Sequence, residues 1–137
     1  MRLLVAMQVL LLTFSSGSFS LGGAVTYAQS ATVGDTFTIN TSGIYTITVN
    51  TQTSSAAGGQ YTFITRNATA TTLNTGLTDS TTLALFGNAS NETNASFSGY
   101  LAANDVVRVH TNNFGQGAST IQNASRNNFF ISFIVGQ

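Results

Sequence analysis

Polar and apolar residues alternate most strictly in residues 34–50, which read GDTFTINTSGIYTITVN. Residues 36–40 and 44–50 each place an apolar side chain at every second position, which is the period of a half-buried β-strand. Residues 41–43 between them favour a turn, in which Gly43 can take a positive φ. The pattern therefore predicts two strands joined as a β-hairpin.

The same alternation recurs along the rest of the chain, between stretches rich in Gly, Asn, Ser and Thr: residues 60–66, 81–86, 97–101, 106–111 and 129–135. With short strands between residues 15 and 30, the count is eight to ten strands and no helix. Regular turn spacing of this kind predicts an all-β sandwich or barrel over residues 1–137, as a single domain.

The last of these strands is apolar on both faces, which predicts a central strand with one face packed against another subunit. The long polar stretches at residues 67–80 and 112–128 are predicted loops. Loops carry recognition on a rigid scaffold, so outward contacts are expected there.

Residues 1–14 begin with Met1 and Arg2 and continue as an almost entirely apolar run. One interpretation is a first strand of the sandwich, or a docking segment. The alternative is a secretory signal peptide with cleavage after Ala24 or Ala28. The run is too short for a transmembrane helix, which needs about 20 residues, so no membrane partner is expected.

Charge is scarce. Apolar residues make up 42% of the chain and charged residues 6%, against about 25% charged in a typical soluble domain. Lysine, cysteine, proline and tryptophan are absent, and the formal net charge is zero. Four arginines scattered along the chain do not make a phosphate-binding surface, so nucleic acid is not an expected partner. A net charge near zero favours association, as in a protein that stays docked in a larger array.

Three motifs resemble those of a known family. Residues 34–47 are similar to a phenylalanine strand, a Gly turn and a Gly-x-Tyr strand. Residues 101–107, LAANDVV, resemble a Leu-x-x-Gly-Asp-x-Val turn, and residues 128–134, NFFISFI, resemble a closing Phe-rich strand. Together they resemble the tumour-necrosis-factor-like jelly roll, shared by the globular heads of complement subcomponent q and the C-terminal domains of collagen-like spore-surface proteins; phage decoration proteins are similar.

The resemblance implies a jelly-roll β-sandwich that assembles as a homotrimer, with aromatic side chains of one sheet face around the threefold axis. The candidates for this interface are Tyr61, Phe97, Tyr100, Phe129 and Phe130, each of which has the intramolecular core as its alternative. In the turn, Asn104 stands where the family has Gly and is the residue next most tolerant of a positive φ, and Asp105 can accept backbone N–H groups.

The sequence contains no clear set of catalytic residues. His110 is the single histidine, and it shares the polar face of its strand with Arg108, so a solvated histidine is expected. The four carboxylates lie far apart in sequence and form no recognisable acid–base pair or calcium loop. No enzyme activity, cofactor or metal is expected.

These observations lead to a virion structural protein: a trimeric capsid decoration or cement protein of a bacteriophage, bound to the major capsid protein or another virion component. The alternative is a secreted, cell-surface or spore-surface recognition module that binds a glycan or receptor, such as a host surface glycan. Fold analogy by itself does not assign either role.

Overall fold

A computed structural model describes residues 23–28, 35–52, 60–68, 81–88, 92–112 and 128–136. These ranges contain β-strands and no helix, and so no helix in them could cross a membrane. The eight strands are β1 (Val25–Ala28), β2 (Thr36–Ile39), β3 (Gly43–Gln52), β4 (Gln60–Arg66), β5 (Thr82–Asn88), β6 (Glu92–Leu101), β7 (Val106–Asn112) and β8 (Asn128–Gly136).

The strands form two antiparallel sheets that pack face to face. One sheet has five strands in the order β1-β2-β7-β4-β5, and the other has three in the order β6-β3-β8. Strands β5 and β4 lie beside β6, which joins the two sheets along one side of the sandwich. The predicted all-β jelly-roll sandwich is confirmed.

Strand β3 is the centre of the three-stranded sheet. It pairs with β6 along its whole length, from Gly43 opposite Leu101 to Gln52 opposite Glu92. On its other side it pairs with β8, with a bulge at the step from Ile44 to Tyr45. Its odd-numbered residues are buried and its even-numbered residues are half-buried, as the alternation in the sequence predicts.

The core lies between the two sheets and is built from the inward positions of both. Its largest fully buried apolar side chains are Phe37, Ile39, Tyr45, Ile47, Ile64, Leu101 and Phe129. Burying each such side chain contributes about 1.5–3 kcal/mol to folding. The core thus consists of residues from strands far apart in sequence.

The predicted hairpin between residues 36–40 and 44–50 is wrong. β2 pairs with β1 and β7 in the five-stranded sheet, whereas β3 belongs to the three-stranded sheet. Residues 40–42 therefore cross from one layer to the other. Alternation shows that each segment is a strand with one buried face, but it does not show which strand is the neighbour.

The prediction for the last strand also needs correction. Within the described residues β8 is an edge strand, with β3 on one side only, and it is not central. Three of its apolar side chains are exposed in the single subunit: Phe130, Phe133 and Ile134. Residues 1–14, with their strand and signal-peptide interpretations, and most of the predicted loops at residues 67–80 and 112–128 lie outside the described residues.

Candidate functional site

Five of the six large exposed apolar side chains among the described residues lie on two different surfaces of the subunit; the sixth, Phe133, is opposite the buried Tyr45. The first surface, called here the β5 edge, carries Leu85 and Phe86, which are 54% and 42% exposed. The second is the outward face of the three-stranded sheet and is called here the β8 face. It carries Tyr100, Phe130 and Ile134, at 48%, 39% and 58% exposed. Such exposure marks candidate contact surfaces.

Side chains of the β8 face stand in rows across the three strands, because the strands pair in register. Tyr100 lies opposite Ile44, and Phe130 lies opposite Thr48. Between these two levels runs a hydroxyl row, in which Ser98 and Ser132 flank Thr46. At all of these positions the β8 face carries hydroxyl or apolar side chains, and none of them is charged.

An amide row crosses the same face one level beyond Phe130. Asn50 Nδ2 donates a hydrogen bond to Asn128 Oδ1 at 2.6 Å, and Asn94 Nδ2 donates to Asn50 Oδ1. At the next level Gln52 Nε2 donates to Glu92 Oε1 at 3.1 Å. These bonds tie β6, β3 and β8 together at one end of the face.

The five predicted interface residues fall in different environments. Tyr100 and Phe130 lie on the β8 face and are exposed. Phe129 is 0% exposed in the single subunit, so it offers no surface to a partner and its assignment to the interface is corrected. It faces the other sheet because its neighbour Phe130 takes the outward position of the pleat.

The rings of Phe97 and Tyr61 pack against other residues of the same subunit. Phe97 packs against the edge of the core, and its ring lies so close to Gly99 that a Cβ there would be 2.8 Å from it. The Tyr61 ring covers Gly87 of the neighbouring strand β5, where a Cβ would come within 2.2 Å. A side chain at either glycine would displace the ring that covers it. Tyr61 is half-buried next to the β5 edge.

The turn before β7 is held by the two predicted residues and by one that the sequence analysis missed. Asn104 has a φ of 74°, and Asp105 Oδ2 accepts the Ala102 N–H at 2.9 Å. Asn67, also at positive φ, donates from Nδ2 to Asp105 Oδ1 at 2.7 Å and accepts the Val106 N–H at 2.7 Å. Nothing in the sequence near Asn67 indicates this partner, which lies 38 residues away.

The role predicted for Gly43 is corrected. Its φ is not positive; it is the buried first residue of β3, opposite Leu101 and Gly136. Ser42 closes the crossover instead, since its Oγ accepts the Ala103 N–H at 2.8 Å.

Three buried threonines connect the sheets. Thr51 and Thr93 are neighbours in the three-stranded sheet, and Thr62 faces them from β4. The Thr51 Oγ1 lies 2.9 Å from that of Thr62 and 2.6 Å from that of Thr93, and the Thr62 and Thr93 oxygens also bond. In a closed ring each hydroxyl donates once and accepts once, so all three are satisfied without water.

His110 is buried, contrary to the prediction of a solvated side chain. It is 0% exposed, and its Nε2 lies 3.0 Å from Thr65 Oγ1. Its Nδ1 has no hydrogen-bond partner among the described residues. Burial, and secondly the charge of Arg108, lowers the pKa of His110 to about 4, so the ring is neutral at pH 7. The neighbouring outward positions of β4, Phe63 and Thr65, are buried as well.

The hydrogen bonds of His110 indicate one tautomer. Thr65 Oγ1 donates to the Arg108 carbonyl at 3.4 Å, so its oxygen is left to accept the hydrogen bond that His110 Nε2–H donates. Nδ1 is then the bare nitrogen. A buried histidine bonded to a threonine is suited to a structural role. Asp35, the buried carboxylate, accepts the Tyr27 hydroxyl at 2.5 Å.

The described residues hold no group of three His, Cys, Asp or Glu side chains that could bind a metal ion. The β5 edge and the β8 face together form the candidate functional site, and the sequence analysis found only part of it. It identified Tyr100 and Phe130 through their aromatic character but not Leu85, Phe86 or Ile134.

Among the comparisons with known proteins, the match to a solved structure identifies the fold of this chain. No family model matches the chain, and no curated protein matches it in sequence. Among solved structures, the chain is similar to mouse APRIL, a jelly roll of the tumour-necrosis-factor family, with a TM-score of 0.51 and 13% sequence identity over 79% of this chain and 72% of that chain. The architecture of the chain is thus that of a tumour-necrosis-factor-like jelly roll.

Proposed function

We propose that this chain is a structural protein of a bacteriophage virion, a homotrimeric jelly roll that decorates or cements the capsid. The observation that carries the assembly is the placement of exposed apolar side chains on two different surfaces, the β5 edge and the β8 face. The similarity in fold is compatible with a trimeric structural or recognition module.

The two surfaces predict the type of contact. A twofold contact joins a surface to its own copy, whereas two distinct surfaces on one subunit suit a head-to-tail contact that repeats until a ring closes. Leu85 and Phe86 project from the edge strand of the five-stranded sheet, and Tyr100 and Phe130 lie on the face of the other sheet. The β5 edge of one copy docks on the β8 face of the next, and three such contacts close the ring.

Charge supports permanent docking over free diffusion. The hydroxyl row of the β8 face carries no charge, and the side chains of the amide row hydrogen-bond to one another. Covering such a surface therefore involves little desolvation of charged groups. A display or cement module meets these conditions, since its surfaces stay covered in the assembled particle.

Sedimentation equilibrium at micromolar concentration tests the trimer, with two variants that each remove one side of the contact. Leu85→Asp leaves the β8 face intact, and Phe130→Asp leaves the β5 edge intact. We expect both variants to be monomeric. Ala28→Asp, at an exposed position of β1, is the matched control and stays trimeric.

Mixing the two monomeric variants tests the head-to-tail geometry. One intact edge and one intact face remain, so the mixture forms a 1:1 dimer and goes no further. A wild-type monomer, or self-association of Leu85→Asp alone through the face, contradicts the proposed ring.

The virion role has its own test. Mass spectrometry of purified phage particles is expected to detect the chain, and particles that lack it are expected to melt at a lower temperature. Detection only in the culture supernatant or on spores, together with glycan binding by the purified trimer, would instead establish the secreted or surface recognition module.

A further inference from the structure

We propose that His110 is an acid-sensitive switch of the assembly: when its ring takes up a proton, the β5 edge loosens and the copies separate while each sandwich stays folded. The inference rests on the proposed ring, in which the β5 edge of one copy docks on the β8 face of the next. Three observations carry it: the row of side chains that joins His110 to the β5 edge, the burial of His110, and the charges around it.

A row of outward side chains connects His110 to the β5 edge. Phe63 of β4 lies directly opposite His110 of β7 on one side and directly opposite Leu85 of β5 on the other. Residues that are directly opposite in antiparallel strands share a face, with Cβ atoms about 4.5–5.5 Å apart. Leu85 is exposed, whereas Phe63 and His110 are buried. The side chain of Phe63 therefore lies between the histidine and the contact surface.

The imidazole of His110 is suited only to the neutral state. Its Nε2 lies 3.0 Å from Thr65 Oγ1, and its buried Nδ1 has no hydrogen-bond partner among the described residues. A proton on Nδ1 would produce a buried cation whose new N–H has no acceptor there. Both the buried charge and the unsatisfied donor are unfavourable. A protonated ring is therefore expected to turn towards water.

The strands around His110 supply no charge that would stabilise the cation. Strand β4 presents Phe63 and Thr65 to it, and neither side chain is charged. Strand β5, beyond β4, adds Leu85 to the same row. Strand β2 pairs with β7 only at residues 106–107, so its register with β7 stops short of His110.

The charged side chains near β7 have the wrong sign or are bound elsewhere. Arg108 shares the outward face of β7, and its positive charge opposes protonation of His110. Arg66, the last residue of β4, lies on the other side of the pleat. Asp105 accepts hydrogen bonds from Asn67 and from the Ala102 N–H. Within the part of the chain that the structure describes, a protonated His110 thus meets a like charge.

Linkage between protonation and opening gives the direction of the effect. Burial and Arg108 lower the pKa of His110 to about 4, whereas a ring in water has the ordinary value of 6.5. Between these values the open form binds more protons than the closed form. The preference for the closed form is therefore complete above pH 6.5 and is lost as pH falls toward 4.

Assembly and acid act on this opening in opposite directions. If His110 turns outward, Phe63 moves and Leu85 moves with it, because the three side chains are neighbours in one row. A docked neighbour covers Leu85 and so holds the row closed. Opening one row disrupts far fewer buried contacts than unfolding the sandwich, so a released subunit opens locally. Acid therefore favours the released subunits over the ring.

Sedimentation equilibrium at micromolar concentration between pH 4 and pH 7.5 tests the switch, with circular dichroism at each pH to follow the strands. We expect a wild-type trimer at pH 7.5. Below pH 6.5 its association constant is expected to fall by up to about tenfold per subunit for each pH unit, because each copy takes up at most one proton. His110→Gln is the matched control. It does not titrate but keeps every carboxylate, so we expect it to stay trimeric.

A second measurement needs no change at position 110. His110 is the single histidine of the chain, so in protein without a histidine tag the NMR signal of its Cε1–H follows protonation directly. The wild-type ring is compared with the Phe130→Asp monomer, whose β5 edge is intact. We expect the monomer to titrate between pH 4 and pH 6.5. The ring is expected to titrate at least about one pH unit lower, since docking opposes the opening.

The other outcomes overturn the switch. Equal titration of His110 in the monomer and in the ring would do so, and this holds even where His110→Gln fails to fold. Dissociation of wild type and His110→Gln at the same pH, a wild-type trimer that persists at pH 4, or loss of the strands at the pH of dissociation would also do so, and each leaves the proposed ring in place. A wild-type monomer at pH 7.5 overturns the switch together with the ring.

Discussion

The ring of Phe37 lies nearly parallel to the ring of Phe129, with centroids 4.1 Å apart and planes inclined by 13°. The pair connects β2 of one sheet to β8 of the other. Both rings are fully buried, and the Phe37 ring also contacts Tyr27 of β1 at 5.3 Å. The stack therefore sets how the two layers lie over one another, on the side of the sandwich away from β5 and β6.

Phe129→Ala is expected to reduce the free energy of unfolding by about 3–5 kcal/mol, since it removes a buried ring and leaves a cavity. Phe130→Ala is the adjacent control. Its ring is 39% exposed, so the expected loss is about 1 kcal/mol. Urea denaturation measures both in the monomeric Leu85→Asp background, because assembly changes apparent stability. Equal losses at the two positions would contradict the assignment of Phe129 to the core.

The threonine ring gives a prediction about cooperativity. Thr62→Val keeps the shape of the side chain but removes one hydroxyl, which leaves Thr51 and Thr93 with unsatisfied buried hydrogen-bonding capacity. We expect a loss of about 1–3 kcal/mol in the free energy of unfolding. Thr48→Val, at a half-buried position on the outward side of β3, is the control and is expected to change it by less than about 0.5 kcal/mol.

When all three threonines are replaced by valine, we expect the free energy of unfolding to fall by less than the sum of the losses in the three single variants. No unsatisfied hydroxyl then remains, and apolar replacement of all partners of a hydrogen bond is close to neutral. Additive losses in urea denaturation would show that the three hydroxyls do not act as one unit.

The sequence records which face of a strand is buried, which is local information, but not which strand is its neighbour. Alternation located β3 correctly, because the pattern within one strand records which face is buried. It could not show that β2 and β3 belong to different sheets, since pairing depends on distant strands. Phe129 and Phe130 illustrate the same limit. Both are apolar and adjacent, so composition could not tell which ring is inward.

The candidate site was predictable only in part, for a related reason. Tyr100 and Phe130 stand out as aromatic residues in strands, whereas Leu85 and Phe86 are exposed because β5 is an edge strand, which is a property of the sheet order. His110 alternates with Val109 as an outward residue should. Its burial depends on what lies over that part of the five-stranded sheet, and the sequence of β7 does not record it.

The positive φ of Asn104, in the turn before β7, gives a prediction about stability. Asn104 has a φ of 74°. Asn104→Gly is expected to keep or slightly raise the free energy of unfolding, whereas Asn104→Ala is expected to lower it by about 1 kcal/mol, since a Cβ is disfavoured in this conformation. Thermal unfolding of the two variants measures the difference. An alanine variant as stable as the glycine variant would contradict the left-handed conformation.

His110 predicts a pH dependence of stability. Its pKa is about 4 in the folded chain, below the usual value of 6.5, because burial disfavours the charged ring. Between these two values the unfolded chain binds more protons than the folded chain, so stability rises with pH. The contribution of the neutral ring is complete above pH 6.5. It is lost as pH falls toward 4, by up to about 3 kcal/mol.

His110→Gln isolates this contribution, because it retains a polar side chain that can bond to Thr65 and does not titrate. Urea denaturation of both proteins between pH 4 and pH 7.5 cancels the carboxylates, which titrate in each. We expect the difference in unfolding free energy to change with pH below 6.5 and to be constant above it, the wild type losing more on acidification. A constant difference across the whole range would mean that His110 reaches solvent and is protonated without unfolding. That result would contradict its burial against Thr65 and Phe63.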